Sequence, residues 1–269
     1  MALHSNFEIN QSPQRPGAAS TRARVIGALL MRELHTRYGR ENIGYLWLIA
    51  EPLMLGGVIA ALHNTGGSHS GVHPAAFAMV GYTVFILFRS MINRSVDAIM
   101  SNSSLLYHRM VTTLDICISR ALLELAGTVM ALIILYAGCY AIEYVDVPAR
   151  PLYLIAGIGA VFWLSFGVAL IIAGTAYHNR LLERFVHPFA YFQIPASAAF
   201  FQVKDIPEGL RSLLMYSPLP HAFEMVRYGA FQNAGAEYFD GPYIISWCMI
   251  LTLLGLISLK SLNRRIKLN

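Results

Sequence analysis

Few residues in this sequence carry charge inside apolar surroundings, and those few bound the chemistry open to it. Glu51 precedes Pro52 within an apolar run, and Arg120 and Glu124 stand four residues apart at the start of another. An ionisable group in such a run is costly, and it faces a partner, a cavity or water. Arg120 and Glu124 have the helical spacing of a structural ion pair. Glu51 either lines a pathway or satisfies a helix end beside its proline. His63, His69 and His73 are of a type that ligates metals, but their segment is rich in glycine and serine and holds no carboxylate. They read as solvated loop histidines, and no metal is expected. No Gly-Lys pair occurs, so the chain has no phosphate loop of its own. A serine-hydrolase elbow and His-Glu-x-x-His are both absent, and no paired-acid site stands out. No residue is assigned a catalytic role, and no cofactor is expected on this chain.

Composition sets the elements that must hold these groups. Of 269 residues, 56% are apolar and 13% charged, with a mean hydropathy of +0.51. A soluble domain carries roughly 25% charged residues. This balance excludes a disordered chain, a nucleic-acid binder and an ordinary soluble enzyme. It predicts an all-α polytopic membrane protein. Pro52 to Phe88 contains no Asp, Glu, Lys or Arg, but a polar, glycine-rich turn at 63–74 divides it into two spans. Six transmembrane helices are expected, at about 44–62, 75–93, 118–142, 152–176, 185–203 and 241–259. Residues 1–20 contain Pro13, Pro16 and Gly17 and lack the apolar core of a signal peptide. They read as a flexible tail ahead of a single transmembrane domain at 21–269. Cys117, Cys139 and Cys248 lie in or beside apolar runs and read as packing thiols.

An even number of spans puts both termini on one side. That side collects sixteen of the twenty Lys and Arg residues. The other four, Arg150, Lys204, Arg211 and Arg227, fall opposite. Positive charge accumulates on the cytoplasmic side, so both termini are expected in the cytoplasm.

Three segments do not span. In residues 21–38, Val25, Ile26, Leu29, Leu30, Leu34 and Tyr38 recur at helical steps, while Arg22, Arg32, Glu33 and Arg37 lie largely elsewhere. This predicts an amphipathic helix in the membrane interface, drawn to anionic lipid by its arginines and carrying a Glu33–Arg37 pair. It serves either as an anchor or as a mechanical part. In residues 101–115, Ser-Asn-Ser-Ser can cap a short helix with Leu105, Leu106, Met110, Val111 and Leu114 apolar and His108 and Arg109 polar. That helix either lies on lipid or docks into a partner's cleft. Residues 206–231 are moderately apolar but broken by Pro207, Gly209, Pro218, Pro220 and Gly229. Two short re-entrant helices fit there, with His221, Glu224 and Arg227 on one helical face, acting either as a gate or as a surface lid. Aromatics are plentiful, Trp47, Tyr82, Trp163 and Tyr191 among them, and a subset could stack on sugar rings.

Three strings carry a resemblance. Residues 24–52 (RVIGALLMRELHTRYGRENIGYLWLIAEP) are similar to the N-terminal signature of capsular-polysaccharide exporter permeases, a branch of the type-2 exporter class of ATP-binding-cassette transporters. Residues 103–115 (SSLLYHRMVTTLD) resemble that family's coupling-helix region, and residues 219–231 (LPHAFEMVRYGAF) its outer re-entrant segment. The likeness runs from about residue 22 to the C-terminus.

The resemblance implies a homodimer in the inner membrane working with two copies of a separate ATPase, which holds the ATP and Mg. It implies that lipid-linked acidic polysaccharide is exported and passed to periplasmic and outer-membrane export proteins. Leu105, Leu106, Tyr107, His108, Arg109, Leu114 and Asp115 would contact the ATPase. Arg32, Arg37, Tyr38, Trp47 and Glu51 would serve substrate entry and the pathway. Pro218, His221, Glu224, Arg227 and Tyr228 would form an outer gate. A permease for O-antigen, teichoic acid or another lipid-linked glycan, or a membrane-embedded glycan-processing enzyme, would share the same span pattern.

Overall fold

The computed structural model describes residues 18–38, 50, 53–55, 57–58, 61–62, 72–106, 111–177 and 179–266. Most of the first expected span, with Trp47 and Glu51, lies outside them, as do Tyr107, His108, Arg109, His63 and His69. Of Arg37 and Tyr38 only the backbone is described. Among the described residues there are helices and no strands. The longer helices are α1 (Ala18–Tyr38), α2 (Pro74–Ser95), α3 (Thr113–Ala141), α4 (Pro151–Ala176), α5 (Arg180–Ala196), α6 (Glu208–Leu214), α7 (Pro218–Ala230) and α8 (Gly241–Ile266).

Four of these, α2, α3, α4 and residues 241–264 of α8, are long and apolar enough to cross a membrane. Burial ranks them. In the apolar window of α2, 83% of residues are buried, against 22% in α8. Helix α2 is therefore the axis of the subunit, and α8 presents Met249, Leu253, Leu254 and Ile257 outward. So large an apolar surface suits contact with lipid or another membrane helix, not water.

Small residues set the closest packing. Gly167 of α4 faces Leu251 of α8, and a Cβ on that glycine would stand 2.7 Å from the Leu251 Cβ. Gly174 and Gly255 make the same seam shallow elsewhere, and Trp163 Nε1 donates to Thr252 Oγ1 across it at 3.0 Å. Close backbone approach through small residues drives helix association where no water supplies a hydrophobic force.

Several boundaries differ from the sequence expectation. Helix α1 starts at Ala18, inside the expected tail. Helix α3 starts at Thr113, five residues before the expected span. The reason is a capping box: Thr112 Oγ1 accepts from the Asp115 backbone at 3.2 Å, and Asp115 Oδ2 accepts from the Thr112 backbone at 3.0 Å. Residues 101–115 are thus not one short helix. A 3₁₀ turn at Met100–Asn102 leads into a single turn at Ser103–Leu106, and residues 111–112 are non-helical. The expected fifth span at 185–203 is instead α5, at Arg180–Ala196, and α5 is not among the four helices long and apolar enough to cross. It holds Pro188 and Pro195, and among its described side chains only Val186 and Ala190 are buried. Helix α8 runs on to Ile266, beyond the expected 259.

Candidate functional site

One end of the bundle carries a charged seam. Arg120, in the second turn of α3, sits where α1, the C-terminus of α2 and the connection after it converge. Its Nε lies 3.0 Å from Glu33 Oε1 on α1. Its Nη1 donates to the Arg94 carbonyl at 3.0 Å, and its Nη2 donates to Ser101 Oγ at 2.7 Å. The last carbonyls of a helix lack partners within it, so this guanidinium also helps to cap α2. Arg94 in turn pairs with Glu124, Nε to Oε1 at 3.0 Å. On α1, Arg32 Nη1 donates to Asn102 Oδ1 at 2.8 Å, and Asn102 Nδ2 donates to the Ala98 carbonyl at 3.0 Å. Two bonds, Glu33–Arg120 and Arg32–Asn102, therefore tie α1 to α3 and to the 96–106 connection.

This geometry corrects two sequence expectations. Arg120 and Glu124 were expected to pair with each other; the ion pairs found join Arg120 to Glu33 and Glu124 to Arg94, each across helices. Glu33 was placed away from the apolar face of α1; it is buried, four residues from buried Leu29 and so on the same stripe, and it pairs with Arg120, whereas the expected pair with Arg37 involves a side chain outside the described ones. That four-residue step was the signal available in the sequence. Nothing local marked Arg94, Ser101 or Asn102.

Of the expected ATPase contacts, Leu105 is half-buried, and Leu106 and Leu114 pack against a buried cluster of Ala98, Ile99, Cys117 and Leu170. Asp115 is buried and spent on the capping box. Ser103 and Ser104 are exposed beside them.

The opposite end is capped by residues 197–240. Here the chain leaves helical geometry inside the bundle. Ala198 adopts a left-handed conformation (φ 57°), and the Ala199 carbonyl packs directly on Gly81 of α2. Irregular backbone at such depth needs polar partners from the protein. Arg227 and Glu224 of α7 supply them. Arg227 Nη2 donates to the Ala198 carbonyl, and Glu224 Oε1 accepts from the Val203 backbone at 3.1 Å. The two side chains, expected on one helical face, pair with each other at 2.8 Å. Arg227 is 2% exposed and stacks over Phe77 at 4.4 Å. Burial pushes its pKa below the ordinary arginine value, and the Glu224 carboxylate opposes that shift.

The other expected gate residues have separate tasks. Pro218 opens α7 at a position where its missing N–H costs nothing. His221 Nδ1 accepts from the Asp240 backbone at 3.2 Å, which leaves Nε2 to donate to the Met215 carbonyl at 3.0 Å. Tyr228 lies 4.0 Å under the Arg150 guanidinium and meets Tyr153 edge-on. Helix α7 rests on α4 through Gly229 against Leu154 and Gly157 against Val226. His73 stacks on Tyr144 at 3.8 Å. Cys117, Cys139 and Cys248 are buried free thiols.

A profile described as the ABC-2 type transporter matches residues 24–231, from α1 through α7 and so across both ends of the bundle. The chain belongs to the ABC-2 type transporter family. Within that family its relatives include the capsule polysaccharide export inner-membrane protein CtrC of Neisseria meningitidis. That protein is 36% identical over 235 residues, covering 87% of this chain and 89% of the relative. The capsule polysaccharide export inner-membrane protein BexB of Haemophilus influenzae is 34% identical over 246 residues, 91% and 93% of the two chains. The polysialic acid transport protein KpsM of Escherichia coli is 30% identical over 242 residues, 86% and 91%. Both the charged seam and the Glu224–Arg227 pair thus fall within the family match.

Proposed function

We propose that this chain is the inner-membrane permease subunit of an ATP-driven exporter of lipid-linked capsular polysaccharide. The reading rests on family membership together with relatives named for capsule polysaccharide export that align along almost their whole lengths. Two copies form the conduit, and two ATPase subunits bind on the cytoplasmic side, where both termini lie. ATP is hydrolysed on those partners, and this chain makes and breaks no covalent bond. Six spans complete the subunit, with the first in residues 44–62 and the fifth at α5.

The mechanism follows from the seam. ATPase closure presses on the turn at Ser103–Leu106, exposed at Ser103 and Ser104, and on the residues after it. The displacement passes through Asn102 to Arg32 and through Ser101 and Arg120 to Glu33, so α1 moves with the connection. Helix α1 flanks the substrate entrance, where Arg32, Arg37, Tyr38, Trp47 and Glu51 meet an anionic lipid phosphate and its sugars. At the other end α6 and α7 form the outer gate, with the Glu224–Arg227 pair holding the irregular segment beside it.

The test is genetic and biochemical. Deletion of the gene abolishes surface capsule and leaves polymer inside the cell, and the wild-type copy restores export. The purified chain retains an ATPase subunit encoded beside it. Normal surface capsule in the deletion strain overturns the proposal.

A further inference from the structure

His221 belongs to α7, and its ring bonds both the residue after α6 and the residue that precedes α8. We propose that this ring is a proton-sensitive latch. Neutral, it fastens α6 and α7 to the head of α8; protonated, it releases that head. Any effect of the latch on export rests on the outer-gate reading above.

The partners dictate the charge state that the latch needs. A backbone N–H can only donate, and a carbonyl can only accept. The Asp240 N–H meets Nδ1 at 3.2 Å and the Met215 carbonyl meets Nε2 at 3.0 Å, so the ring accepts at one nitrogen and donates at the other. Neutral imidazole does both, whereas imidazolium donates at both nitrogens. A proton on Nδ1 therefore sets a donor against the Asp240 N–H and removes that bond, while the bond to Met215 survives. His221 is buried, and a buried donor facing another donor is costly.

A second contact is tied to the first. The His221 ring lies against Tyr243 of α8, their centroids 4.9 Å apart, and Tyr243 Oη donates to the Tyr216 carbonyl at 2.7 Å. The chain just after α6 is thus held to α7 through His221 and to α8 through Tyr243. A shift of the imidazole disturbs both.

The surrounding charges are committed elsewhere. On α7, Glu224 is bound to Arg227 and to the Val203 backbone. Helix α6 carries Glu208 and Arg211, and Arg211 donates to the Lys204 and Ile206 carbonyls. The connection ahead of α6 holds Lys204 and Asp205, and Asp205 acts electrostatically on Arg227. Helix α4 has no charged residue from Pro151 to Ala176, α2 has none from Pro74 to Phe88, and α8 has none before Lys260. The connection ahead of α8 holds Glu237 and Asp240. Asp240 Oδ1 accepts from the Tyr243 backbone at 3.4 Å, at the start of α8. An imidazolium that draws this carboxylate to itself takes it from Tyr243, so protonation loosens the head of α8 by either route. The Asp240 bond is present while the ring is neutral and is lost as the pH falls through the range in which imidazole gains its proton, about pH 8 to about pH 5.

The test uses the full-length chain in nanodiscs with its ATPase bound. Hydrogen–deuterium exchange is read at the amides of residues 240–245 from about pH 8 to about pH 5, with rates corrected for the intrinsic pH dependence of exchange. Wild-type protection falls about tenfold on acidification, the change expected for one hydrogen bond. His221→Gln has an amide that accepts and donates but takes up no proton in this range, so its protection stays constant. His221→Phe makes neither bond and is poorly protected at every pH. Wild-type protection that does not change with pH, or an equal fall in His221→Gln, overturns the latch. Both of those readings stand even where His221→Phe fails to fold. Surface capsule is scored in the same strains. A latch that titrates while His221→Phe cells, their chain folded, display normal capsule refutes the outer-gate reading and leaves the latch in place.

Discussion

Glu33 and Arg120 meet at 3.0 Å although they lie on different helices, one in the N-terminal segment and one at the head of α3. Their side chains are 11% and 14% exposed, so the contact is shielded from water more than a surface ion pair. Arg120 also holds the Arg94 carbonyl and Ser101, which makes it the common point of α1, α2 and the connection between α2 and α3. Glu33→Gln lowers stability by about 1–3 kcal/mol and reduces export more than it reduces ATPase association. The double reversal Glu33→Arg with Arg120→Glu restores part of the stability but not the Arg94 and Ser101 bonds. Thermal unfolding of the purified variants checks the first effect, and capsule display checks the second.

The cap and the turn proposed to dock the ATPase separate under mutation. Thr112→Ala removes one half of the capping box at the start of α3 and costs about 1 kcal/mol, with export retained. Leu105→Asp abolishes ATPase co-purification if Ser103–Leu106 is the contact. Retention of the ATPase by Leu105→Asp places the contact elsewhere.

Removing a partner from the buried Glu224–Arg227 pair leaves a charge without compensation. Arg227→Met costs roughly 3–5 kcal/mol, because Glu224 is stranded and the Ala198 carbonyl loses its donor. The chain aggregates on extraction. Glu224→Gln costs less, since an amide oxygen still accepts from Val203. Size-exclusion profiles of the two variants rank them.

Side chains cannot be added where α7 meets α4. Gly229 faces the Leu154 backbone so closely that any Cβ displaces one helix. Gly229→Val therefore costs at least about 1–3 kcal/mol of overpacking, whereas Gly209→Ala, in open space on α6, is neutral or nearly so. Expression and monodispersity distinguish the two.

Orientation is read by labelling. With the three native cysteines replaced by serine, Gln232→Cys and Ser104→Cys each place a thiol at an exposed position on opposite ends of the bundle. A membrane-impermeant maleimide labels Gln232→Cys on spheroplasts and labels Ser104→Cys only after permeabilisation. The reverse pattern would falsify the topology.

The sequence alone was enough for the apolar runs at α2, α3, α4 and α8, because spanning a hydrocarbon layer demands a long uninterrupted stretch and nothing else produces one. It also placed Glu224 and Arg227 together, since residues three apart on a helix meet regardless of the surroundings. Spacing failed for Arg120 and Glu124. An i,i+4 step permits an ion pair, but a guanidinium has five donors, and the convergence of α1, α2 and the connection offered Arg120 a carboxylate, a helix-end carbonyl and a hydroxyl. The same holds for the break after α5. Hydropathy continued through residue 203, yet the chain turns at Ser197–Ala199, because Gly81 lets its backbone enter the bundle and Arg227, twenty-nine residues after Ala198, satisfies the Ala198 carbonyl. Local periodicity encodes which segments are helices. Which polar groups neutralise one another depends on distances between segments, and only the packed bundle sets those.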